Sequence, residues 1–244
     1  AYGGLSYWLI YIVLYYSLHC FHLIDTAQVY DVEVEVGRGM RKSGVPREDI
    51  FLATKLWCNT YHPDDVERAL DVSLRDLDTP YVDLLLMHYP CVFARGTEPG
   101  EALKKVLSTG KAKAIGVSNF SKGEIQTLLD ECSVGIHVIQ FSPYVREHEP
   151  FLPGDRLEQR HSTHRGKNQR EPVTQGAWSQ IQQDPCADGT AWGINSGRSV
   201  IPKSVIDWQI DQNIVADFEM EEEDVKRIGS MDRKARFNDP SADY

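Results

Sequence analysis

The sequence predicts an α/β fold, a (β/α)8 barrel, and three observations predict it. Short apolar runs alternate with amphipathic helical stretches, the order that builds a parallel sheet. The polar residues that end these runs are evenly spaced: Asp25 to Lys55 is 30 residues, Lys55 to His88 is 33 and His88 to Ser118 is 30. Each step is about the length of one βα unit. No G-x-G-x-x-G follows any run; the nearest match, Gly37-Arg-Gly39, lies inside a helical stretch and lacks the third glycine. That tells against the doubly wound alternative.

The elements follow in order. Residues 1–24 contain no Asp, Glu, Lys or Arg, and the stretch from Leu5 to Ile24 is long and apolar enough to span a bilayer. His19, His22 and the absence of flanking basic residues instead favour a buried barrel segment over a membrane span or a secretory leader. Phe21 to Ile24 ends at Asp25, and a helix from Val32 to Lys42 is closed by Gly44. Asp49 to Thr54 ends at Lys55, and Pro63 opens a helix to about Leu77, a fitting place for proline. Val82 to Met87, apolar on both faces as a parallel strand is, ends at His88. A short helix from Glu101 to Leu107 precedes Lys113 to Val117, which ends at Ser118 and Asn119. Ser121 and Glu124 form a capping box for a helix to about Cys132, and Gly135 to Ile139 ends near Phe141. Residues 146–190, rich in Gln, Arg, Gly and Pro, read as a polar irregular insert. His161 and His164 lack a third ligand and read as surface histidines, so no metal is expected. Order returns at Thr190 to Gly193 and Ser199 to Lys203, and acidic residues 219–224 start a last helix.

The 244 residues suit a single domain spanning 1–244, expected as a monomer, with a full hydrophobic core. A net charge of −10 excludes nucleic acid as the main partner, though local cations can still hold a small anion. Cys20, Cys58, Cys91, Cys132 and Cys186 form no C-x-x-C pair and read as reduced thiols in a cytoplasmic setting.

Five segments in this order resemble the aldo-keto reductases: His22-Leu-Ile-Asp-Thr-Ala-Gln-Val-Tyr30, Ala53-Thr-Lys-Leu-Trp57, Val82-Asp-Leu-Leu-Leu-Met-His88, Gly116-Val-Ser-Asn-Phe120 and Ile201-Pro-Lys-Ser204. The resemblance implies an NADPH-dependent reductase of aldehydes or ketones on a (β/α)8 barrel, with Asp25, Tyr30, Lys55 and His88 as its catalytic tetrad. The chemistry is coherent on its own terms, because reducing a carbonyl leaves an alkoxide to be protonated. Tyr30 can give that proton if a neighbouring Lys55 ammonium, fixed by Asp25, favours its phenolate. His88 would orient the carbonyl oxygen. The same resemblance assigns Ser118 and Asn119 to the nicotinamide carboxamide, Phe141 to ring stacking and Ser142 to a phosphate. It assigns Lys203 and Ser204 to the 2′-phosphate of NADPH and Asn213 to adenine. Gln209 stands where the family has an arginine on that phosphate, so NAD is also expected to be tolerated. Trp57 and Tyr89 would line an apolar substrate pocket.

The resemblance breaks in places. The first strand is replaced by the apolar run, and the sixth, which carries a glutamine for the nicotinamide amide, is not recognisable between Cys132 and Gly135. Six strands are recognised, ending near Asp25, Lys55, His88, Ser118, Phe141 and Lys203. An incomplete barrel leaves strand edges unpaired. Two alternatives to the reductase therefore stand: a degenerate barrel that binds nucleotide or a partner without turnover, and a Schiff-base aldolase using Lys55.

Overall fold

In the computed structural model of the chain, residues 23–90, 99–131, 136–141, 156–161, 185–202, 213, 216 and 218–230 are described. Strands form where apolar residues run together. β1 (Leu23–Asp25), β2 (Phe51–Leu56), β3 (Val82–Met87) and β4 (Ala112–Ser118) lie side by side in that order, all parallel. All six residues of β3 are buried, as expected for a strand covered on both faces. The helices between them are α1 (Glu33–Ser43), α2 (Pro63–Leu77), α3 (Pro99–Thr109) and α4 (Lys122–Glu131). The predicted starts and stops hold: Gly44 closes α1 at φ 70°, and Pro63 opens α2. The Ser121 amide donates to the Glu124 carboxylate at 2.6 Å, while the Glu124 amide faces the Ser121 hydroxyl at 3.4 Å.

The chain divides into two units, Ala1–Ile139 and Gln140–Tyr244. In the first, β5 (Val138–Phe141) begins beside β4, where the His137 amide donates to the Ile115 carbonyl at 3.0 Å. In the second, β6 (Arg156–His161) pairs in parallel with β7 (Ser199–Pro202). The second unit also holds the helices α5 (Pro185–Asn195) and α6 (Glu222–Ser230). β6 adds one strand to the six recognised in the sequence, and it lies inside the segment expected to be an irregular insert. Its residues Arg-Leu-Glu-Gln-Arg-His carry almost no apolar signal, which is why the pattern concealed it.

Two glycines mark where backbones come closest. A Cβ on Gly116 would lie 2.2 Å from the Val138 carbonyl oxygen and 2.7 Å from a Leu86 methyl. A Cβ on Gly37 would lie 2.4 Å from the Leu77 carbonyl oxygen, so α1 can press onto the end of α2 only without a side chain there.

Because side chains alternate along a strand, register decides what shares a face. Lys55 pairs with Leu86 and Leu86 with Gly116. Ala53, Leu84, Leu86 and Val138 pack together on that face, with Phe51 and Ala114 against them. Continued to the C-terminal ends of the strands, the same face carries Asp25, Lys55, His88 and Ser118. The apolar layer is thus the floor beneath the polar residues.

The opposite ends of the strands are closed by ions. Asp83 accepts from the Arg47 guanidinium at 2.9 Å, the Lys113 ammonium at 2.9 Å and the Leu52 amide at 3.0 Å. Arg47 also reaches the carbonyls of Ile50 and Tyr81, and both cations lie 4.0 Å from the Tyr81 ring centroid. Burial raises the proton affinity of Asp83, but the Leu52 amide, Lys113 and Arg47 outweigh it and hold the carboxyl below its ordinary range. A carboxyl depressed on folding stabilises at pH values above its unfolded pKa, and that contribution is lost as pH falls through the folded one. Asp83→Asn is expected to cost about 2–3 kcal/mol at pH 7, measured by urea unfolding. The deficit should shrink as pH falls below about 4, where the carboxyl of the unfolded chain takes up a proton before the folded one does.

Candidate active site

Lys55 is fully buried, an expensive place for an ammonium, and the structure compensates it at once. Its Nζ donates to both oxygens of Asp25, at 2.6 and 2.7 Å, and to the Thr26 carbonyl at 3.0 Å. The side chains of the pair are 0% and 3% exposed. Asp25 ends β1, and Lys55 sits one residue before the end of β2, 30 residues on in the sequence and adjacent in the sheet. After β1 the chain turns through a 3-10 turn, Gln28–Tyr30, which swings Tyr30 back over the strand ends. Lys55 Nζ lies 5.4 Å from the Tyr30 ring centroid, so phenol and cation share one site.

His88 follows the end of β3, where its amide donates to the Leu56 carbonyl at 3.2 Å. Its Nε2 lies 3.4 Å from the Tyr30 hydroxyl. The imidazole packs edge-on to Tyr30 and Trp57, at centroid distances of 5.5 and 5.4 Å, and stacks on Tyr89 at 5.2 Å. Trp57 in turn meets Tyr89 edge-on at 5.7 Å. Tyr61 braces the backbone of this group: its hydroxyl donates to the Tyr89 carbonyl at 3.0 Å and accepts from the Tyr89 amide at 3.2 Å. Burial raises the proton affinity of that phenol, so Tyr61 stays neutral.

At the end of β4, Asn119 takes up a left-handed backbone (φ 65°), which Asn tolerates better than most residues. Its amide nitrogen donates to the His88 carbonyl at 2.9 Å and to the buried Ser118 hydroxyl at 3.1 Å. Asp25, Tyr30, Lys55, His88, Ser118, Asn119, Trp57 and Tyr89 are thus gathered at one set of strand ends. Among the described residues no group of three His, Cys, Asp or Glu could hold a metal. No described helix is long and apolar enough to cross a membrane.

The family model for the aldo/keto reductase family matches residues 10–153, more than half of the chain. This chain belongs to the aldo-keto reductases. It is 31% identical to aldo-keto reductase family 1 member A1 of Sus scrofa, over 88% of this chain and 78% of that protein. An aldo-keto reductase of Mycolicibacterium smegmatis is 35% identical, over 88% of this chain and 81% of its own length. Among solved structures, an aldo/keto reductase from Brucella melitensis superposes with a TM-score of 0.83 at 29% identity, covering 92% of this chain and 90% of that one. An aldo-keto reductase of Bombyx mori, solved in complex with NADP, gives 0.83 at 26% identity, covering 96% and 85%. The fold of this aldo-keto reductase is of the (β/α)8 barrel type, with seven strands among the described residues.

Of the other expected site residues, Asn213 is buried in the second unit, and Phe141 ends β5. Ser142, Lys203, Ser204 and Gln209 lie outside the described residues, as do most of the N-terminal apolar run and the stretch between Cys132 and Gly135. Gln140, on β5, is buried.

One expectation is corrected. Cys58 is disulfide-bonded, not a free thiol. Scattered spacing does not preclude pairing between residues that the fold brings together, and the bond removes the ground on which a reducing compartment was expected.

Burial, reinforced by the Lys55 cation and only partly opposed by Asp25, lowers the pKa of His88 to about 3. The imidazole is therefore neutral at working pH. A group depressed in this way stabilises above its ordinary pKa of about 6.5, and the benefit is lost as pH falls toward 3. The wild type should lose about 1.4 kcal/mol per pH unit from this group below pH 6.5. In His88→Gln that slope should be flatter by one proton, read from urea unfolding between pH 4.5 and 7.

Proposed function

We propose that this chain reduces an aldehyde or ketone to the alcohol using NADP(H), with Tyr30 as general acid. The observation that carries the reading is the buried Asp25–Lys55 pair beneath a phenol that also reaches His88. When bound, NADPH supplies a hydride to the carbonyl carbon. The donors at the end of β4 suit that cofactor, since Ser118 and Asn119 offer the hydroxyl and amide groups a carboxamide needs. By resemblance, Phe141, Ser142, Lys203, Ser204 and Asn213 complete its binding, and Gln209 in the arginine position leaves room for NAD.

The protein's own part is to manage one proton and one oxygen. Tyr30 Oη gives its proton to the alkoxide oxygen as charge develops there. The Lys55 ammonium, already engaged by Asp25 and Thr26, stabilises the resulting phenolate through its field. Asp25 holds that ammonium in place through both its oxygens. His88, neutral and in the Nε2–H tautomer, hydrogen-bonds the same oxygen and sets its approach. Trp57 and Tyr89 flank it with apolar rings, which fits a small carbonyl substrate.

The aldolase reading loses ground here. A Schiff-base lysine must be free and neutral to attack a carbonyl, whereas the three donors of Lys55 meet three acceptors and its charge is matched by Asp25.

Purified protein should oxidise NADPH with members of a small-aldehyde panel. Tyr30→Phe should lower turnover by about 10²–10⁴-fold while fluorescence still reports NADPH binding. Full activity in that variant removes Tyr30 from the mechanism. NADPH binding by wild type with no aldehyde-dependent turnover would instead favour a non-catalytic barrel.

A further inference from the structure

The side chain of Gln28 does more than fill the turn that carries Tyr30. Its amide nitrogen donates to the Ala69 carbonyl at 2.9 Å and to the Ser73 hydroxyl at 3.1 Å, both on α2. Its amide oxygen accepts from the Trp57 amide at 3.2 Å, on the segment that follows β2. Those partners fix which end of the amide is which, since a backbone N–H can only donate and a carbonyl can only accept. The network continues inward. The Ser73 hydroxyl donates to one oxygen of Glu33 at 3.0 Å, and the Thr54 hydroxyl donates to the other at 2.6 Å. Ser73, Thr54 and Glu33 are buried, and Thr54 is the neighbour of Lys55 on β2.

A single side chain thus ties three pieces of backbone together. They are the turn bearing the general acid two residues on, the segment bearing the pocket tryptophan, and a 15-residue helix anchored beneath both. The turn has no side-chain cap of its own, and the residue after Tyr30, Asp31, is in the left-handed region at φ 53°. Gln28 is the side chain that ties that turn to α2 and to the segment after β2, and proton transfer is sensitive to placement on the ångström scale.

We propose that Gln28 is a positioning residue, its two ends dividing the labour: the amide nitrogen seats Tyr30 by fastening the turn to α2, and the amide oxygen seats Trp57 over the carbonyl pocket. This inference rests on the reductase reading above. It makes no claim that Gln28 touches substrate or cofactor.

Two variants separate the two ends. Gln28→Met keeps the length and loses both functions; Gln28→Glu keeps an acceptor for the Trp57 amide and loses the donor. Steady-state kinetics with the best aldehyde should show Gln28→Met with kcat down about tenfold and KM up about threefold or more. Gln28→Glu should return KM to within about twofold of wild type while kcat stays low. Circular dichroism and NADPH titration should show the fold and cofactor affinity unaltered in both. Values of kcat and KM within twofold of wild type in a folded Gln28→Met overturn the proposal. So does a fall in kcat that tracks the folded fraction at unaltered KM, because a merely structural role would give that. Should Gln28→Met fail to fold, Gln28→Glu decides alone: low kcat at wild-type KM supports the division, and parallel changes in both overturn it. A wild type that turns over no aldehyde brings down the reductase reading and this role with it, whereas an active wild type with indifferent variants brings down this role only.

Discussion

An ammonium and a carboxylate taken out of water together are the constraint on which the rest depends. Either charge alone would be costly in the interior, by several kcal/mol even after relaxation. Lys55 and Asp25 are tolerable because each sees the other at hydrogen-bond distance and the Thr26 carbonyl takes the remaining donor. The arrangement requires β1 and β2 to be neighbours and parallel, with Asp25 opposite Ala53 and Lys55 two residues further on. A slip of one residue in β2 would turn Lys55 to the helix-facing side and leave both charges stranded. Folding and chemistry therefore impose the same register on the sheet.

The two ends of the strands divide these duties. At the N-terminal end, Asp83, Arg47 and Lys113 satisfy one another around Tyr81, a closed arrangement that reads as fastening. At the C-terminal end, polar groups converge from four successive strands above an apolar floor. A phenol, a neutral imidazole and two further aromatic rings meet there, edge to face except where His88 stacks on Tyr89. Among the described residues, it is this second end that gathers hydroxyl, imidazole, amide and ammonium groups.

Much of this was legible in the sequence, and particular residues show why. Asp25, Lys55, His88 and Ser118 could be placed because each terminates an apolar run, and parallel strands bring their C-terminal ends to one side whatever lies between. Pro63, Gly44 and the Ser121–Glu124 pair announced their helix ends through local backbone chemistry. What escaped notice depends on tertiary contacts. β6 carries charged and polar side chains, and without apolar periodicity a strand leaves no local mark. Nothing local marks Gln28, since its partners lie 29 to 45 positions away in the chain. The Cys58 bond is likewise invisible to spacing.

The state of His88 has a further consequence. An imidazole in contact with water near neutrality is a sensor, changing charge whenever its surroundings acidify mildly. Sunk beside a lysine and walled by rings, this one has been made deaf to such changes. This imidazole keeps one charge state across the range of pH a living compartment visits, and acid acting on it is felt first in the cohesion of the fold.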